Sequence, residues 1–340
     1  MMKKVGIKFI VIFVTIILIL ALLAGALRMY RFSRLHPPED VTIAVATQPI
    51  SALIYIAHDK GFFAQEGLNA TLQSYWVGKD AKDSVLSGRA QFATVAETPL
   101  MYSGLRDEPI AIVATVADSN RYMKIVARKD HKIAGPLDLA GKRIGVTRGT
   151  TGEYFLYAFL TYYQISPDQI IPVDMKAEAM AEALERGTID AAVTWNPHAA
   201  RQLALLGANG LIVENSTIYY KIWWNVVGRQ DYVISHNETV QQLLRALIRA
   251  QKSLEENPQE SLTIVEKYVG KGTADLKDFN LDVRLGQSLL LELEDQARWA
   301  IGAGLTERKT MPNFLRMMYP QAMEVVDPVS VSLIYKRESP

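Results

Sequence analysis

From Phe9 to Leu27 the chain runs through nineteen uncharged residues in succession, most of them Ile, Val or Leu. Beyond residue 38 this texture gives way to short apolar runs separated by amphipathic stretches. At about 1.5 Å per helical residue the first run spans roughly 28 Å, close to the hydrocarbon core of a bilayer. Lys3, Lys4 and Lys8 ahead of it make the positive n-region of an export signal. Ala24-Gly25-Ala26 fits a small-residue cleavage site, whereas the length of the run and the cations Arg28, Arg31 and Arg34 beyond it fit an uncleaved signal anchor. Residues 9–27 are therefore expected to tether the chain to the cytoplasmic membrane, and on either reading the body is extracytoplasmic, in the periplasm of a double-membraned cell. No second run of that length follows, which argues against a polytopic transporter. Residues 36–40, His-Pro-Pro-Glu-Asp, read as a short stiff spacer.

The rest alternates β-rich runs with helical ones, the signature of an α/β protein with mostly parallel sheets. Strands are expected at Val41–Thr47, Ala70–Trp76, Gln91–Val95, Ile110–Val116, Lys124–Ala127, Arg143–Thr147, Ile170–Asp174, Ile189–Trp195 and Trp224–Val227. Helices are expected from a Ser51 cap towards Gly61, and over Asp80–Leu86, Thr151–Tyr163 and Ala177–Arg186. After Asn237 apolar residues recur at helical spacing, and a long helix is expected from about Leu285 to Ala303. If strands near Tyr122 and Trp224 cross between two lobes, residues 123–222 close as lobe two. Residues 39–122 and 223–340 then make a discontinuous lobe one.

Charge and composition narrow the function. Six of the 37 Lys and Arg, and none of the 36 acids, lie within the first 34 residues, so the near-neutral total hides a mildly acidic body. That body is a poor nucleic-acid surface. With no Cys there is no thiol nucleophile, disulfide, iron–sulfur cluster or lipid-modified Cys. The five His residues are scattered without metal-ligand spacing, and no nucleophile elbow, zinc-protease helix or phosphate loop is present. Neither a metal nor a cofactor is expected, and nothing in the chain asks for catalysis.

Parallel sheets take ligands at the carboxyl ends of their strands, which directs attention to the strand-to-helix turns. The first such turn offers Gln48 and Ser51, the second Trp76 with Val77 and Gly78, and the third Glu97 and Thr98, with Thr98 as a candidate N-cap. Arg148-Gly149-Thr150-Thr151-Gly152 brings backbone N–H groups, two hydroxyls and a helix N-terminus to one point. That suits an anion, although Thr150 or Thr151 also serves simply as a helix cap. Trp195-Asn196-Pro197 places an indole and an amide at another strand end. Tyr219, Tyr220, Trp223 and Trp224 read as hinge packing first and a stacking wall second.

Five phrases, in order, resemble the nitrate/sulfonate/taurine class of ABC-importer substrate-binding proteins. The phrase from His58 to Leu68, HDKGFFAQEGL, resembles that family's GYFAEEGL signature. Ser87–Ala93 resembles SGQADFA, Asp138–Val146 resembles DLKGKKVGV, and Gly149–Tyr154 resembles GSTAEY. Ala183–Pro197 resembles ALQSGEVDAAVLWEP, so the likeness covers nearly all of residues 41–333.

The resemblance implies a two-lobed type II periplasmic-binding-protein fold with the ligand between the lobes. It carries substrate contact onto Gln48, Ser51, Trp76, Glu97, Thr98, Thr150, Thr151, Gly152, Trp195 and Asn196. It also implies a monomer that works with an ABC permease and its ATPase. Asn196 is neutral where amino-acid-binding relatives carry an acid, and the cysteine motif of the related pyrimidine synthases is missing. A small anion of the sulfonate, taurine or nitrate class is the expected ligand. A neutral or cationic heterocycle such as a thiamine-precursor pyrimidine, a membrane-tethered sensor and a cofactor-forming enzyme are the alternatives.

Overall fold

A computed structural model describes residues 38–214, 219–272 and 275–335. The expected anchor at residues 9–27 lies outside them. Among the described residues no helix is long and apolar enough to cross a membrane.

In chain order the first sheet's strands and their helices are β1 (Glu39–Ala46), α1 (Ala52–Asp59), α2 (Phe62–Gln65), β2 (Leu68–Tyr75), α3 (Gly78–Leu86), β3 (Phe92–Ala96), α4 (Glu97–Leu105) and β4 (Ile110–Ser119). The chain then enters a second sheet through β5 (Lys124–Arg128), β6 (Arg143–Val146), α5 (Thr151–Tyr162), β7 (Ile171–Asp174), α6 (Met180–Glu185), β8 (Ala191–Thr194), α7 (His198–Leu206) and β9 (Gly210–Glu214). It returns through β10 (Ile222–Arg229) and continues as α8 (Gln230–Ser235), α9 (Asn237–Glu256), α10 (Pro258–Val269) and α11 (Gln287–Gly302).

The two main sheets are five-stranded, ordered β2-β1-β3-β10-β4 and β7-β6-β8-β5-β9, and a short parallel pair joins Leu285–Gly286 to Val331–Ser332. β1 pairs parallel with β3, and β6 parallel with both β7 and β8. Each main sheet also holds a strand that runs against its neighbours: β10 between β3 and β4, and β5 between β8 and β9. These are the strands on which the chain has just passed from one sheet to the other, so their direction follows from the crossover.

All nine expected strands form. β9 is an addition: the strand Gly210–Glu214 is short and lies at a sheet edge, and its residues 210–213 are all half-buried, so no alternation marks it. β3 and β4 are buried along their whole length, as expected of strands covered on both faces. α9 is the amphipathic helix that the spacing at Leu243, Leu244 and Leu247 predicts, and those three residues are fully buried.

Two capping expectations fail. Ser51 makes no cap bond; its hydroxyl donates to the Ala46 carbonyl at 3.0 Å and accepts from the Trp224 indole at 3.0 Å, because the chain enters α1 through a tight turn over Pro49–Ser51. Thr98 is not the N-cap of α4; the cap is Ala96, two residues earlier, and the helix begins at Glu97.

The His58–Leu68 phrase has a structural role. Lys267 pairs with Asp59 at 3.0 Å, Lys60 with Glu260 at 2.7 Å, and Glu66 with Arg245 and Arg249 at 2.7 and 3.3 Å. Gly61 and Gly67 take left-handed φ values of 68° and 89°, which permit the two turns around α2. The phrase fastens α1 and α2 to α9 and α10.

Candidate functional site

The turns chosen from sequence converge on one cleft, whose walls come from both sheets and from the crossover. Gln48, Val77, Gly78, Lys79, Ala96 and Pro99 form one side. Thr150, Thr151 and Trp195 form the other, and Tyr122, Ile222 and Trp224 close the back. The opening measures about 330 Å³, counting the part that is open to solvent.

Gln48 joins three elements. Its amide nitrogen donates to the Trp76 carbonyl at 3.1 Å, and its oxygen accepts from the Tyr122 hydroxyl. Burial pushes the Tyr122 phenol well above its ordinary range, so it remains a donor at neutral pH. The Tyr122 ring stacks on Trp195 at 6.4 Å and 15°. Gly78 opens α3 where β3 passes close beneath it. A Cβ there would lie 3.0 Å from Val95 Cα and 3.2 Å from the Thr94 carbonyl, so only glycine lets this helix start against the sheet.

On the other wall, Thr150 caps α5: its hydroxyl accepts from the Gly152 N–H at 3.2 Å and donates to the Thr147 carbonyl at 2.7 Å. The cap leaves the hydroxyl of Thr151 over. That oxygen is buried and meets no partner in full hydrogen-bond geometry; the Tyr220 phenol is the polar neighbour close enough to feel it. The indole N–H of Trp195 is likewise buried and unpartnered. An unmet buried polar group costs about 1–3 kcal/mol, so two of them on one cleft mark a place where a ligand supplies acceptors.

Of the ten residues picked from sequence, Gln48, Thr150, Thr151 and Trp195 line the cleft. Gly152 lies behind them at the start of α5, with its N–H taken by the Thr150 cap. Trp76 sits at 62% exposure, with its ring 6.5 Å from that of His198. Ser51, Glu97 and Thr98 are fully buried and do not line the cleft. Glu97 accepts from the Tyr220 hydroxyl, the Thr98 hydroxyl at 3.3 Å, the Gln296 amide at 3.1 Å and the Trp223 N–H at 2.9 Å. Burial raises its pKa, and the Tyr220, Trp223 and Gln296 donors offset only part of that rise. Asn196 faces a smaller neighbouring pocket with Arg121, Lys124, Asp275 and Asp278, and Tyr122 forms the wall between the two.

Sequence reasoning missed Lys79 and Tyr122, whereas Trp224, read as hinge packing first and a stacking wall second, does reach the cleft. Lys79 had a usable signal, since it lies in the second strand-to-helix turn directly after Gly78. Tyr122 had none, because the segment that crosses from β4 to β5 carries no local mark that its side chain will meet a cleft. Among the described residues Lys79 is the only charged one on the cleft lining, so that lining is positive. Among the described residues no cluster of His, Asp or Glu is arranged to hold a metal.

Comparison with known proteins agrees with this architecture. The chain is 27% identical over 228 residues to the taurine-binding periplasmic protein of Escherichia coli, across 65% of this chain and 68% of that one. A shorter match, 27% over 146 residues and 43% of this chain, is to a 4-amino-5-hydroxymethyl-2-methylpyrimidine phosphate synthase of Aspergillus parasiticus, of which it covers 42%. The periplasmic aliphatic sulphonate binding protein of Escherichia coli superposes with a TM-score of 0.71 at 14% identity, over 84% of this chain and 99% of that one. The periplasmic nitrate-binding protein of Synechocystis does so with a TM-score of 0.65 at 13% identity, over 86% and 89%. The fold is thus the two-lobed one of periplasmic binding proteins. The pattern described as NMT1/THI5 like matches residues 48–261, well over half of the chain and beginning at the Gln48 of the cleft, and the chain belongs to that NMT1/THI5-like family.

Proposed function

We propose that the chain is the extracytoplasmic solute-binding component of an ABC importer. In this reading it captures a small anion of the sulfonate, taurine or nitrate class between lobe one, residues 39–122 and 223–340, and lobe two, residues 123–222. One observation carries the reading: two buried donors without partners, the Thr151 hydroxyl and the Trp195 indole N–H, line a cleft whose only charge among the described residues is the cation Lys79. An oxyanion supplies several acceptors to such donors at once, and the positive end of α5 adds to the attraction. The taurine-binding relative and the sulphonate- and nitrate-binding neighbours lend support from outside the chain.

The mechanism is reversible. A ligand that touches Lys79 on one side and Thr151 and Trp195 on the other favours the closed arrangement by its difference in affinity for closed and open forms, and the permease reads that population. No carboxylate and no His lines the cleft, which speaks for binding over turnover despite the pyrimidine-synthase relative. Glu97, the one acid that would suit a cationic heterocycle, has its oxygens engaged by four donors. Titration calorimetry of the full chain against propane-1-sulfonate, taurine, nitrate and a 4-aminopyrimidine is the test. Heat from an anion that falls sharply in Thr151→Ala supports the proposal. Silence towards every anion, or heat from the pyrimidine alone, overturns it.

A further inference from the structure

Beside the cleft lies a second and wider cavity, and the two share Lys79 and Pro99. Its wall carries Lys79 on α3, Arg106 just past α4, Arg148 in the turn after β6, and Glu153 on α5. Glu153 is the only acid there, and its Oε2 already accepts the Gly149 N–H at 2.8 Å and the Tyr102 hydroxyl at 3.1 Å. Arg106 is held by Glu108 at 2.7 Å. Lys82 also reaches this wall, but its ammonium is enclosed by Asp83, Ser103 and Glu108 at 2.9, 3.2 and 2.8 Å.

Lys79 and Arg148 differ from these cations. They come from opposite sheets, and neither has a carboxylate within salt-bridge distance among the described residues. Lys79 reaches so far towards the other side that a Cβ on Gly149 would lie 3.3 Å from its Nζ. Two cations without a close ion-pair partner are thus brought to one cavity from the two sides of the cleft, with Asp80 and Glu153 as the nearby acids. An anion between them would be attracted to both.

Building on the anion reading above, we infer that this vestibule is a second anion subsite, and that the ligand is a short organic dianion. Its oxyanion head sits against Thr151 and Trp195, and a carboxylate or second sulfonate at its far end bridges Lys79 and Arg148. Arg148 and Thr151 are three residues apart, at most about 11 Å between Cα atoms, so a linker of a few carbons suffices. An amine at the far end would instead meet two cations, which places taurine below an acid-ended sulfonate.

Matched pairs test this in the full chain: propane-1-sulfonate against 3-sulfopropionate, and ethanesulfonate against ethane-1,2-disulfonate, by titration calorimetry at low and high salt. The dianion of each pair is expected to bind roughly tenfold or more tightly at low salt, the scale of one charge-assisted contact. Added salt should narrow the gap. Arg148→Gln should remove most of the advantage while leaving monoanion affinity within about twofold. Arg148 is exposed and its one side-chain-independent bond is from its backbone N–H to Asp174 at 3.2 Å, so the variant should fold. Equal affinities within each pair, or a dianion preference that survives both Arg148→Gln and Lys79→Gln, overturn the inference. Monoanion binding without a dianion preference rejects the vestibule alone, whereas failure of every anion to bind rejects the parent reading as well.

Discussion

Thr151→Val separates a residue kept for a ligand from one kept for the fold. Valine replaces the hydroxyl by a methyl of nearly equal size, and Thr151 stands at the first position of α5, where a β-branched residue meets no preceding turn. The hydroxyl is buried without a partner, so its removal abolishes no hydrogen bond and relieves a polar group of a desolvation cost of about 1–3 kcal/mol. The empty protein should therefore be as stable as the parent or more so, by up to about 1 kcal/mol after imperfect packing of the new methyl is allowed for. Ligand affinity should move the opposite way. A hydrogen bond to an oxyanion contributes about 1.5–3 kcal/mol, so the dissociation constant should rise roughly 10- to 150-fold. Urea unfolding without ligand gives the first quantity and calorimetry with the tightest-binding anion of the panel gives the second. A variant that loses more than about 1 kcal/mol of stability, yet binds as before, would refute the reasoning and make Thr151 a framework residue. Trp195→Phe, which removes the other unpartnered donor, should show the same opposition with a larger packing cost.

Gly78→Ala forces a Cβ to within 3.0 Å of Val95 Cα, an atom that cannot yield; a stability loss of about 1–3 kcal/mol in urea and weaker ligand binding through displacement of Lys79 are expected. Tyr154→Phe removes the bond its hydroxyl donates to Asp295 at 2.9 Å, which links α5 to α11. It should favour the open form by about 1 kcal/mol, visible as a larger radius of gyration without ligand in small-angle scattering. Glu292 on α11 is pushed up to about 7, first by burial and then by the charge of Glu97. The unfolded chain releases this proton near the ordinary 4.5 and the folded protein near 7, so the folded state holds more protons between those values and stability falls as pH rises through them, by at most about 3 kcal/mol. Glu292→Gln keeps an oxygen for the Gln296 amide, now 2.8 Å away, and should flatten that decline in urea titrations between pH 4.5 and 8; an unchanged slope would count against the assignment.

Much of the architecture was legible because its causes are local. Nine strands, four of the helices between them and the amphipathic α9 follow from periodicity and turn residues, since a strand or helix that buries one face must repeat its apolar positions at that element's own spacing. The turns that line the cleft were legible for a topological reason: where strands run parallel, their carboxyl ends gather on one edge of the sheet, so Thr150, Thr151 and Trp195 come together on one sheet, while Gln48 stands at the corresponding edge of the other.

Which side chains within those turns face the ligand was a tertiary matter. Glu97 and Thr98 stand in a cleft-forming turn as surely as Thr151 does, yet both are buried, and Glu97 bonds Tyr220, Trp223 and Gln296, which lie 123 to 199 residues further along the chain. Ser51 reads as a cap but is taken by Trp224, whose indole arrives only because the return crossover lies beside β3. Lys79 and Arg148 are unremarkable surface cations until two sheets bring them to one cavity. The sequence by itself determined nine of the strands, most of the helices between them and the strand ends at which a ligand would sit. The tertiary structure decided which donors were left without partners there, because hydrogen-bond satisfaction and net charge at a cleft depend on residues that meet only when the chain is folded.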